Sequence, residues 1–221
     1  MTGAALAAAV IVAAAPARAT TTVLTFEGLG DEEPILNFYN GGFGGNGSGP
    51  GPSDGITFSA NSLAIIEGNA GGSGNIQGEP SPVTVAFFLS GGADVMDVPA
   101  GFTTGFSFFY SAINNPGVIN VWSGLDDTGT LLATLDLPVT PSGPFGSPPC
   151  AASGSFCPFL PIGVTFPGTA MSVDFGGTAN QIAFDNITLG SGTPVGAPEP
   201  ASLALLGVGL LGLGAVSRRK A

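Results

Sequence analysis

Apolar positions along this chain recur in short alternating blocks and not at helical spacing. Residues 23–26, 56–58, 63–66, 83–89, 102–110, 118–122, 131–137, 164–166, 171–175 and 182–189 are rich in β-branched and aromatic side chains, with Gly, Pro, Asn or Asp between them. Each block reads as a strand. In 102–110, Phe106, Phe108 and Tyr110 fall on one face while Ser107 and Phe109 fall on the other. That alternation predicts a mid-sheet strand with its aromatic face inward. The turn residues Asp126-Asp127-Thr128-Gly129 separate 118–122 from 131–137 and predict a hairpin. No window outside the two ends carries a helical period. The pattern therefore predicts an all-β domain over residues 20–190, an antiparallel β-sandwich of jelly-roll type.

The ends differ in kind. Residues 4–15 are an apolar stretch followed by Pro16-Ala17-Arg18-Ala19, with Ala17 and Ala19 in the small-residue positions of a signal-peptide cleavage site. This predicts a signal helix at 1–19 and Thr20 as the first mature residue. No Lys or Arg precedes the apolar stretch, so the basic leader is expected from a start codon upstream of Met1. At the other end, past a linker at 191–197, an apolar run at 201–216 is broken only by Ser202. As a helix it reaches about 24 Å, just enough to span a bilayer core of about 30 Å. The basic cluster Arg218-Arg219-Lys220 behind it stays on the cytoplasmic side, which leaves everything before Pro198 outside.

Pro198-Glu199-Pro200, a short apolar helix and an Arg-rich terminus, in that order, resemble the PEP-CTERM sorting signal of Gram-negative bacteria. The resemblance implies a substrate of exosortase, an integral-membrane cysteine protease that cleaves near the motif. It further implies that Pro198, Glu199 and Pro200 are the recognition element, that the helix at 201–216 holds the substrate transiently in the inner membrane, and that Arg218 and Arg219 stop transfer. The alternative is a permanent C-terminal anchor.

Removing both ends changes the charge balance. The four basic residues, Arg18, Arg218, Arg219 and Lys220, all lie in the segments expected to be removed, and the chain has no His. Fourteen of its 15 acids lie between Thr20 and Ala197, Glu199 being the exception, so the mature span carries a formal charge of −14. Without a fixed cation it cannot neutralise phosphates, which excludes nucleic acid as a partner. Self-repulsion keeps such a domain soluble and makes a divalent cation a natural partner.

The two long connections, 40–55 and 138–161, carry different signals. The first is too glycine-rich to pack by itself and is expected to be mobile unless something binds it. The second holds Cys150 and Cys157, which after export are expected to form a disulfide worth roughly 2 to 3 kcal/mol. Two thiolates without His make a poor metal site.

Gly51-Pro52-Ser53-Asp54-Gly55 fits the G-x-S-x-G pattern of hydrolases, but a strand follows it and the chain has no His to act as base. Glu32, Glu33, Asp126 and Asp127 are the adjacent acids on offer for glycoside hydrolysis, the least favoured reading, because adjacent acids more often mark solvated turns. The first strand ends Thr25-Phe26-Glu27-Gly28 and the last contains Asp185-Asn186. This resembles galactose-binding-like jelly rolls and related carbohydrate-binding modules, which implies a structural calcium shared by Glu27 and Asp185, with Asp31 as a third oxygen ligand. The alternative is two exposed acids on edge strands. The resulting expectation is a non-enzymatic, exported protein of the cell surface or exopolysaccharide matrix, with no required cofactor. A second expectation is a module that binds extracellular polysaccharide through Tyr39, Phe43 or Trp122, although the position of Trp122 at the end of an apolar strand points to the core.

Overall fold

A computed structural model describes residues 21–91, 93–140, 150 and 156–196. The expected signal peptide with Ala17 and Ala19, and the sorting segment with Pro198, Glu199, Pro200, Arg218 and Arg219, lie outside them. The described chain is all-β. Its strands are β1 (Thr22–Leu24), β2 (Glu33–Pro34), β3 (Thr57–Phe58), β4 (Ser62–Ile66), β5 (Thr84–Phe88), β6 (Ala93–Ser111), β7 (Gly117–Trp122), β8 (Leu131–Leu137), β9 (Leu160–Gly177) and β10 (Ala183–Leu189). They pair in the order β2-β4-β5-β10-β6-β9-β7-β8, with β1 on β10 and β3 on β6, every pair antiparallel.

The expected strand 102–110 is the C-terminal half of β6, which runs from 93 to 111, and β9 joins the expected 164–166 and 171–175 into one strand. The alternation is hidden at Asp97-Val-Pro-Ala-Gly101, where the β6–β9 register slips between Asp97 and Phe102 and again before Thr104. Gly101 takes φ 70 and Thr104 φ 80 there, so the ribbon turns at this point.

That bend makes the sandwich. Phe175 pairs in register with Asp94 on β6 and Ile119 on β7, yet its ring lies 6.1 Å from Phe108 and 5.0 Å from Phe184. The far half of the ribbon has folded over the near half, and its aromatic face supplies the core. Phe106, Phe108 and Tyr110 are all buried as the alternation predicts. Each buried Phe is worth roughly 1.5–3 kcal/mol of transfer free energy, which matters in a domain without an ion pair to draw on. The opposite face of β6 sends Phe109 to a smaller cluster of Ile76, Val85, Ile113, Phe156, Phe159 and Ala183. Cys150 and Cys157 are joined beside it, with Cα atoms 5.6 Å apart. The hairpin from β7 to β8 forms as expected, with Asp126 and Asp127 both left-handed at φ 51 and 56.

Candidate functional site

The acids named for calcium are each engaged by protein donors near the paired ends of β4 and β5. Glu27 Oε1 accepts the N–H groups of Val83 and Thr84 at 3.0 and 2.9 Å. Asp185 accepts the Ser81 N–H on Oδ2 at 2.8 Å, and the Ser81 hydroxyl and the Asn186 N–H on Oδ1, both at 2.7 Å. Asp31 lies on another segment, accepting Ile66 N–H at 2.9 Å and Ser73 N–H at 3.0 Å. Glu27, Asp31 and Asp185 thus serve here as acceptors of protein hydrogen bonds. Calcium needs six to eight oxygens, whereas these carboxylates are occupied by N–H and O–H donors. Among the described residues no group of three or more His, Cys, Asp or Glu side chains is arranged to hold a metal. Nor are Glu27 and Asp185 exposed edge acids, since β10 sits between β5 and β6 and Asp185 is fully buried. Burial pushes Asp185 up to about 7, against the pull of its hydrogen bonds from Ser81 and Asn186.

The glycine loop is held in place, and by a residue weighed for catalysis. Glu33 is fully buried, with Oε1 accepting the N–H groups of Asn46 and Ser48 at 2.8 and 3.0 Å and Oε2 accepting that of Gly30 at 2.6 Å. Burial works to raise its pKa, but the hydrogen bonds from Ser48, Gly30 and Asn46 outweigh it and hold the carboxyl below its usual value. Glycine serves close approach here: a Cβ on Gly44 would stand 2.5 Å from Glu33 Oε1. Glu33 is thus a structural acceptor, and Glu32 receives the Ser73 hydroxyl at 3.3 Å.

Of the three aromatic platforms, Tyr39 is core. It is 3 % exposed, packs edge-on against Phe26 and Phe38, and its hydroxyl oxygen accepts the Phe26 N–H. Phe43 is 55 % exposed on the glycine loop. Trp122 belongs to neither hydrophobic cluster and is half-buried on the outer face. This corrects its expected place in the core.

Around Trp122 the sheet assembles a polar surface that no sequence motif marks. Register places Val95, Asp174 and Asn120 in one cross-strand row and Asp97, Ser172 and Trp122 in the next. Asp174 Oδ2 accepts the Asn120 amide at 3.1 Å and the Trp122 indole N–H at 3.4 Å. Asn120 Oδ1 accepts the Thr134 hydroxyl at 2.9 Å. The β7–β8 turn folds over the second row, with Asp126 N–H on Asp97 Oδ1 at 2.9 Å and Asp127 N–H on Ser172 Oγ at 3.0 Å. Burial first, then the charges of Asp174, Asp97 and Asp126, push Asp127 up to about 6. Beside the first row lies a groove of about 280 Å³ whose lining includes Gly117, Val118, Asn120, Asp174 and Gly177. Glycines give it a floor without side chains, and Val118 is 41 % exposed. Chemically it offers a carboxylate and an amide, the carboxylate also held by the Trp122 indole outside the groove, a set suited to a ligand rich in hydroxyls.

Residues 197–220 match the PEP-CTERM protein-sorting motif. No curated protein matches the chain by sequence. Among solved structures, the K2 cleaved adhesin domain of Lys-gingipain is similar with a TM-score of 0.47 at 14 % identity, over 78 % of this chain and 98 % of that one. A family 6 carbohydrate-binding module gives 0.35 at 18 % identity, over 61 % and 86 %. The C-terminal family 6 module of a laminarinase from Zobellia galactanivorans gives 0.31 at 15 %, over 59 % and 100 %. At these scores none of the three bears on what this chain binds or does.

Proposed function

We propose that this chain is an exported, exosortase-processed protein of a Gram-negative cell surface or exopolysaccharide matrix, and that its β-sandwich acts without catalysis. The sorting motif at 197–220 carries the reading. The composition supports it, since the span left after removal of both ends is purely acidic, lacks His, and offers no base for a Ser or Cys nucleophile. Of the acids weighed for hydrolysis, Glu33 is engaged with backbone N–H groups and Asp126 and Asp127 anchor a turn. Intact mass of the protein from the extracellular fraction tests the route. A species beginning at Thr20 and ending near Pro200 is expected, and a retained Ala221 terminus would overturn it.

The groove beside Trp122 and Asp174 favours a second reading, in which the domain binds matrix polysaccharide through this outer face. Trp122 is the single Trp of the chain, so its fluorescence reports on that face alone. Titration with neutral matrix polysaccharides is expected to change the emission saturably. A flat response across them would leave the structural role by itself.

A further inference from the structure

The chain does not leave the domain after β10. Gly190 N–H donates to the Gly105 carbonyl at 3.0 Å, and the Ser107 hydroxyl donates to the Ser191 carbonyl at 2.8 Å. Further on, Val195 N–H donates to Thr188 Oγ1 at 3.2 Å, and the Asn186 amide donates to the Val195 carbonyl at 3.0 Å. Ser107, Asn186 and Thr188 are fully buried, so three interior polar side chains are committed to this segment. Its track is cut by glycine: a Cβ on Gly105 would run into the backbone nitrogen of Gly192, and one on Gly163 into the Gly192 carbonyl oxygen. Asn186 takes φ 46 where the β10–β6 register shifts, a conformation Asn tolerates better than most residues, and donates to Val195 from there. Residues 191–195 of the expected linker are therefore tied to the sheet by hydrogen bonds, with Val195 itself 42 % exposed.

We propose that residues 190–195 form a strap that has to lift from the sheet before the sorting motif is cut, with Ser107, Asn186 and Thr188 setting how often it lifts. This rests on reading the motif as a protease substrate. Extended substrates are bound by pairing their backbone N–H and C=O groups with the partner. Both such groups of Val195 are already taken, by Thr188 and Asn186. Pro198 follows three residues later, a reach of about 10 Å, no more than the spacing between packed sheets. A protease that binds residues on both sides of the motif reaches the backbone of Val195 only when the strap lifts.

The test is the full-length chain in a host that processes it, comparing wild type with the double variant Ser107→Ala and Thr188→Val. These changes remove two anchors and keep the shape of the buried sites. Hydrogen exchange at the Gly190 N–H, whose acceptor is the Gly105 carbonyl and is touched by neither change, measures lifting in the purified protein, and pulse–chase measures loss of the C-terminal segment. Loss of two hydrogen bonds should raise exchange at Gly190 by about tenfold or more, and processing by a similar factor. Faster exchange with an unchanged processing rate overturns the strap as a gate. Unchanged exchange overturns the assignment of its anchors. A wild-type chain that is never cut overturns the sorting reading itself, a result distinct from either.

Discussion

Ser81 binds Asp185 twice, donating its N–H to Oδ2 at 2.8 Å and its hydroxyl to Oδ1 at 2.7 Å, across 104 positions of sequence. The same hydroxyl contacts the Thr25 carbonyl at 3.0 Å, so one serine ties the first strand's exit to the last strand. Ser81→Ala leaves the buried carboxylate short of a donor and is expected to cost about 1–3 kcal/mol, read as a lower urea midpoint at unchanged slope. Chelator or added calcium should leave the midpoint of the parent protein where it is. A drop on chelation would mean that a cation, and not Ser81, holds these acids.

Glu33 accepts two N–H groups of the glycine loop, which also packs on Pro34 and Phe38. Glu33→Ala strands the N–H groups of Gly30, Asn46 and Ser48 and is expected to cost about 3 kcal/mol. Exchange at the Asn46 and Ser48 amides should rise well beyond that of the β6–β9 ladder. Equal rises everywhere would show that the loop and the sandwich open as one unit.

What could be read from the sequence divides along a physical line. Strand existence was legible because alternation is a local property, and Phe106, Phe108 and Tyr110 face inward as that alternation requires. The junction at 97–101 was not, since a bulge breaks the period on which the reading depends. The glycine loop is expected to be mobile unless something binds it, and what binds it, the Glu33 carboxylate and the backbone carbonyls of Pro34 and Asn37, has no sequence signature. An apolar residue at a strand end, such as Trp122, can face either way. Only the register with Ser172 and Asp97 decides it. Asp174 carries no sequence signal, since isolated acids look alike until a cross-strand neighbour donates to them.

Stability should fall as the medium becomes alkaline. Burial, with the added charges of Asp174 and Asp127, pushes Asp94 up to about 8, and burial likewise raises Asp185 and Glu79 to about 7. Between pH 4 and these values the folded protein binds more protons than the unfolded chain, so raising the pH through this window favours unfolding. Asp31 and Glu33 are shifted the other way and lose their contribution only below about pH 4. The melting temperature is therefore expected to peak in mild acid and decline from pH 5 to pH 8. Asp94→Asn should flatten that decline, gaining stability at pH 8 and little at pH 5. A parent curve that rises from pH 5 to pH 8 would contradict the assignment.

The outer face makes the sharpest division between the aromatic side chains. If polysaccharide binds at the groove, Asp174→Ala removes the acceptor that fixes both the Trp122 indole and the Asn120 amide, and leaves the hydrophobic clusters intact. Affinity measured by calorimetry should then fall about tenfold or more, since Asp174 orients its neighbours as well as facing the ligand. The fold itself should lose less than about 1 kcal/mol, as expected of a half-exposed acid among many like charges. Phe43→Ala, on the glycine loop, should leave affinity unchanged although Phe43 is the more exposed ring. The reverse result, with Phe43 needed and Asp174 dispensable, would move the binding surface from the sheet to the loop. It would also turn the Trp122 contact into a purely structural one.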